Sequence, residues 1–190
     1  MDTILTLFHD PILVGAARAA LAVLLLIGGW EKLRDPVVFR GAMENYGVLP
    51  VVLTPIVSLL LPVAEVVCGL SLLYAPTGHV GAVGTLVLLV AMTTVVAVSL
   101  MNGRTGIDCG CGGLSSQPLS WALVVRNVVL IGVASVATQQ AAERVPGMLD
   151  FFLAAAISLA LLGLYASFNQ LMSNAPLAAK TSHHPSRMST

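Results

Sequence analysis

The chain has 190 residues, 57% of them hydrophobic and 9% charged, with a mean hydropathy of +0.92 and a formal net charge of zero. Soluble domains carry about 25% charged residues, so this composition excludes a water-covered globule and points to a chain solvated by lipid. Zero net charge argues equally against nucleic acid as a partner.

Residues 1–10 contain Asp2 and Asp10 but no Lys or Arg. The basic start of a cleavable signal is therefore missing, and the apolar run that follows is read as a retained helix. Five apolar stretches, about 11–30, 50–74, 79–101, 119–138 and 149–172, are long enough to span roughly 30 Å of hydrocarbon at 1.5 Å per residue. They are rich in Leu, Val and Ala and lack the alternation of a barrel strand. The predicted fold is all-α: a polytopic transmembrane bundle with a four-helix core and one additional span. Residues 1–173 form its single domain, and 174–190 are expected as a disordered polar tail.

Within the spans, Pro62 should kink the second helix or open its hydrogen-bond ladder near Ser58. Gly15 with Ala19, and Gly81 with Gly84, are positioned to let helices approach closely. The longest connection, 31–49, is expected to hold an interfacial helix with Asp35 as N-cap and Pro36 in its first turn. Arg18, Glu65 and Arg126 lie near the middle of their spans. A central charge costs roughly 2.5–3.5 kcal/mol on insertion scales, so such residues face the bundle interior and pair. Glu65 is expected to neutralise one of the arginines, with Asn127 and Glu31 extending the network. Either a structural polar cluster or a cofactor pocket fits this pattern.

The glycine-rich loop 102–118 carries Asp108-Cys109-Gly110-Cys111-Gly112-Gly113. Two thiols one residue apart close a very small, strained disulfide ring, and strained disulfides suit exchange better than permanent cross-linking. The flanking glycines would let a partner chain approach the sulfurs. Inert thiols and half of a metal site are the alternatives. No second cysteine pair exists to complete a zinc site, so no metal is expected. Cys68, inside the second span, is read as a packed small hydrophobe.

Arg18, Trp30-Glu31-Lys32-Leu33-Arg34-Asp35-Pro36, Tyr46, Leu49-Pro50 and Leu61-Pro62-Val63-Ala64-Glu65 with Gly69-Leu70 resemble the DoxX-like membrane proteins. Asn102-Gly103-Arg104, Asp108-Cys109-Gly110-Cys111, Ser120-Trp121 and Arg126-Asn127 narrow the resemblance to the MauE family of methylamine utilisation proteins, over about residues 15–135. That family usually has Phe where this chain has Gly112.

The resemblance implies a bacterial inner-membrane protein that matures or exports the small subunit of methylamine dehydrogenase. That subunit is rich in disulfides and carries a tryptophan tryptophylquinone. A thioredoxin-like MauD-type protein is the implied partner. The architecture is also similar to vitamin K epoxide reductase bundles, which pass electrons from thiols to a quinone. On this reading Cys109 and Cys111 are the catalytic pair, a membrane quinone is the acceptor, and Arg18, Glu65, Arg126 and Asn127 line its pocket. The alternative is a non-enzymatic scaffold or export helper in the same pathway.

Charge and chemistry disagree on orientation. Lys32, Arg34, Arg40, Arg104, Lys180 and Arg187 fall on the side of the cysteine loop, and only Arg144 falls opposite, which by the positive-inside rule makes that loop cytoplasmic. A dithiol oxidant needs the oxidising side, because cytosolic poise keeps thiols reduced. The periplasmic placement is taken here, because the cysteine motif is the more specific signal.

Overall fold

A computed structural model describes residues 10–104, 119–139 and 147–182, with backbone alone over 172–182. The described elements are all helical: α1 (Pro11–Arg34), α2 (Pro36–Tyr46), α3 (Thr54–Leu73), a 3₁₀ turn (Ala75–Thr77), α4 (Gly78–Met101), α5 (Trp121–Ala137) and α6 (Met148–Ser182). Four helices are long and apolar enough to cross a membrane, while α5, at 17 residues, is shorter. The chain is thus a multi-pass helical membrane protein, as its composition requires. Its last helix runs on to Ser182, so 174–182 of the stretch expected as tail are helical backbone.

Local chemistry explains the boundaries. α1 starts where the Asp10 side chain accepts from the Ile12 amide at 2.8 Å and Pro11 supplies a preset first turn. α2 follows after Asp35-Pro36, with Asp35 at the N-cap position as expected. The Asp35 side chain makes no capping bond there, and its amide closes α1 by donating to Glu31 O. α2 ends on Gly47, in the left-handed region at φ 59°, where glycine has no Cβ to clash. Pro62 is buried within α3, which continues through it from Thr54 to Leu73.

α1, α3, α4 and α5 pack in a closed ring, α1 on α3, α3 on α4, α4 on α5 and α5 back on α1. This ring is the predicted four-helix core. α6 packs on α1 from outside, and most of its apolar side chains, including Phe151, Phe152, Leu159 and Leu164, are exposed where lipid would be. The core at the end of the ring bearing the N-terminus gathers Ala17, Leu21, Ala22, Leu72, Ala82, Ala134 and Ala137, with half-buried Cys68 packed against it. A second cluster, Tyr46, Val96, Leu100, Leu119 and Leu123, closes the opposite end.

Small residues set the helix spacing, though not all of those expected. A methyl group at Gly81 would meet Ser71 Cβ at 2.8 Å, and one at Gly84 would meet the Cys68 sulfur at 2.8 Å, so both lie in the α3–α4 seam. Gly15 faces open space and brings no helix closer. The tight α1–α3 seam rests instead on Gly29 and Gly69, where an added methyl would meet Val66 Cγ2 at 2.8 Å and Leu26 Cγ at 3.0 Å. Gly29→Val is expected to force α1 from α3 and cost about 1–3 kcal/mol, the range for overpacking. Thermal unfolding in detergent would show it, with Gly15→Val as a silent control.

Candidate functional site

The described structure holds the cysteine loop by its two ends. Arg104, near the start of the loop, donates from Nη1 to Asn45 O at 2.6 Å and lies over Gly47, where any side chain would strike its guanidinium. Leu119, just after it, is buried against Tyr46, Leu100 and Leu123. Ser99 Oγ donates to Tyr46 O at 3.1 Å and pins the same corner from α4. Both feet of the loop therefore stand on the C-terminal end of α2. Cys109 and Cys111, with Asp108 and Gly112, lie outside the described residues.

Burial pushes the Tyr46 phenol well above its ordinary value, opposed by the positive charge of Arg126. The phenol therefore stays protonated across the physiological range, within the electrostatic reach of Arg126. Arg126 sits early in α5, beneath this corner. It donates from Nε and Nη2 to Asn127 Oδ1 at 3.4 and 3.3 Å and from Nη1 to Asn169 Oδ1 at 3.2 Å, with the Tyr165 ring centroid at 5.4 Å. These are long, neutral acceptors, and neither described ion pair involves Arg126. It borders a cavity of about 440 Å³ between α1, α5 and α6, whose other walls are almost entirely apolar.

The remaining expected site residues are placed elsewhere. Arg18 donates to the carbonyls of Ala137 at 3.0 Å and Gln139 at 3.2 Å, closing the C-terminal end of α5. Residues 126 and 137 are about 16 Å apart along that helix at 1.5 Å per residue, so the two arginines serve opposite ends of the bundle.

Glu65 does not pair with an arginine. Its Oε1 accepts from Lys32 Nζ at 2.5 Å, both side chains being almost fully buried, and Lys32 also lies 5.5 Å from the Phe39 ring centroid. One lysine thereby joins α1, α2 and α3. Glu65 Oε2 and Glu31 Oε2 are buried without a described hydrogen-bond partner. Of the four residues expected to line one pocket, only the neighbours Arg126 and Asn127 come together. Lys32 was missed because it follows the apolar run in a polar stretch and reads as a loop cation. Its i, i+7 relation to Leu25, a buried core residue on the same face of α1, was the available signal.

Fold and site together define a small polytopic membrane protein whose four-helix ring has a buttressed corner that holds both ends of the segment carrying the C-x-C sequence. The chain belongs to the MauE family of methylamine utilisation proteins, whose family model, described as methylamine utilisation protein MauE, matches residues 10–139. It is 39% identical to methylamine utilization protein MauE of Paracoccus denitrificans, over 66% of this chain and 68% of that protein. It is 33% identical to the MauE protein of Paracoccus versutus, with the same coverage of each chain, and 30% identical to that of Methylophilus methylotrophus, over 68% and 69%. No solved structure matches the fold. The matched region ends after α5, so it comprises the ring with α2 and leaves out α6.

Proposed function

We propose that this protein is a thiol–disulfide oxidoreductase that matures the small subunit of methylamine dehydrogenase, taking electrons from a thioredoxin-like, MauD-type partner and passing them to a membrane quinone. The observation that carries this reading is the buttressed C-x-C loop in a chain of the MauE family. A redox loop must meet a partner protein repeatedly without losing its place, and fixed feet with a glycine-rich crown serve that need.

The exchange balances as follows. A thiolate of the partner attacks the Cys109–Cys111 disulfide, forming a mixed disulfide and freeing one thiol. The partner's second thiol then closes the partner's own disulfide and leaves Cys109 and Cys111 reduced. Re-forming their S–S bond releases two electrons and two protons, which a quinone accepts. A lipid-soluble acceptor suits the site, since an apolar cavity with one cation at its edge accommodates an apolar ring bearing carbonyl oxygens.

This reading puts the loop on the periplasmic side of the bacterial inner membrane, where a dithiol oxidant can stay oxidised. One feature lessens the weight of the positive charge at this end. Lys32 is buried against Glu65, so it does not stand as a free loop cation. The deciding experiment is alkylation of Cys109 and Cys111 in intact cells by a membrane-impermeant maleimide, in a Cys68→Ala background. Labelling only after reduction is the expected result. Labelling that needs permeabilised cells and no reductant would mean cytoplasmic thiols, and would turn the reading to a scaffold or export helper.

A further inference from the structure

The ring is closed on four sides, but α6 leaves a gap. It leans on α1, and α5 leans on α1 as well, while α5 and α6 make few close backbone approaches and meet through Arg126 with Asn169 and Tyr165. The space between them is the cavity of about 440 Å³, walled by Ala20, Leu24, Val129, Val133, Leu161 and Leu164. Val129 and Leu164 are 62% and 69% exposed, so the walls run out to the lipid-facing surface and the cavity opens sideways into the bilayer. Its contents would come from the membrane rather than from water.

One charged group borders this space. Arg126 stands at the end nearest the loop corner, and its described acceptors are two amide oxygens at 3.2–3.4 Å. A guanidinium in an apolar wall with neither a carboxylate nor a short acceptor retains donor capacity for an electron-rich oxygen. Arg126 lies about 8 Å along α5 from Trp121, the first helical residue, which follows Leu119, the second foot of the cysteine loop, by two residues. The polar end of the cavity thus lies toward the described corner at Leu119, and the apolar end runs along α5 to Val133.

We infer that the cavity between α1, α5 and α6 is the binding site for the lipid-soluble acceptor, a quinone-class compound that enters between α5 and α6 and places a ring carbonyl on Arg126. This rests on the redox reading above, and it separates Arg126 from Arg18 and Glu65, which serve the scaffold. The Arg126 side chain would bind and orient the head, and Leu161, Leu164 and Val129 would exclude water from it.

The test uses the full chain in phosphatidylcholine nanodiscs with a short-chain azidoquinone photoprobe. Crosslinks are expected within 125–133 of α5 and 161–171 of α6, and unlabelled decylquinone should compete. Leu161→Trp fills the cavity and should weaken probe binding about tenfold, the equivalent of about 1.4 kcal/mol. Leu159→Trp, on an exposed face of the same helix outside the cavity, should leave labelling unchanged. Labelling elsewhere, or labelling indifferent to Leu161→Trp, would overturn the site. So would displacement of the probe by phosphatidylglycerol with no competition from decylquinone, which would mark a headgroup site.

The two readings fail separately. If the cysteines cycle in wild-type protein while the probe maps elsewhere, the site falls and the redox reading stands. If the probe maps to the cavity but Cys109→Ser and Cys111→Ser leave thiol oxidation intact, the redox reading falls, and with it the acceptor role of the site.

Discussion

Cys109→Ser and Cys111→Ser should each reduce oxidation of the partner's dithiol to its uncatalysed background, with the protein still in the membrane at normal level. The chemistry requires both sulfurs. One is attacked in the first exchange, and the other leaves as thiol and later re-forms the ring. Serine is nearly isosteric with cysteine, and the described helix ends should keep their contacts through Arg104 and Leu119, which neither substitution alters. The two variants should differ in one respect. The variant that keeps the attacked sulfur offers no disulfide to a reduced partner, but its lone thiolate can attack the disulfide of the oxidised partner, forming a mixed disulfide and freeing one partner thiol. Mixed with the oxidised thioredoxin-like partner, it should give a covalent adduct visible on a non-reducing gel, which the other variant should not. Yield of mature dehydrogenase small subunit is the cellular readout. Full maturation in both variants would exclude thiol chemistry and leave the scaffold reading.

The second large effect is structural. Glu65 and Lys32 are 3% and 4% exposed, and removing one partner strands the other as a buried charge. Lys32→Met or Glu65→Leu should each cost about 3–5 kcal/mol, the usual loss when a buried pair is broken from one side. The double variant Lys32→Met/Glu65→Leu should recover most of that, since apolar replacement of a buried pair is often neutral or better. Thermal unfolding of all four proteins in one detergent closes the double-mutant cycle. Additive losses would show that the two residues act independently and that the 2.5 Å contact carries no coupling. Strong coupling with normal cysteine cycling in the double variant would place the pair in the scaffold and outside the redox path.

What could be read along the chain and what could not divide on a physical line. Membrane solvation depends on local composition, because each apolar stretch is transferred from water to lipid largely on its own account. The helical class and the five apolar stretches follow from that, and the start of α2 after Asp35-Pro36 follows from an equally local dihedral preference. The C-x-C motif was likewise visible, since the cysteine spacing and glycine context are properties of adjacent residues.

Pairing and spacing are not local. The partner of Glu65 is set by the register of α1 against α3, across 33 residues of chain, and that register depends on how deeply Gly29 and Gly69 let the helices approach. Lys32 therefore won over both arginines, by lying on the buried face at the right height. Gly15, equally small, faces nothing, because small size helps only where a neighbouring helix crosses. Arg18 and Arg126 look alike in sequence, each a lone cation in an apolar run. Tertiary structure sends one to carbonyls at the far end of α5 and the other to the edge of a lipid-facing cavity. Sequence determined the solvent, the helices and the C-x-C motif, because those depend on neighbours in the chain. Helix packing alone decided which charges are neutralised and which one still has donors to offer.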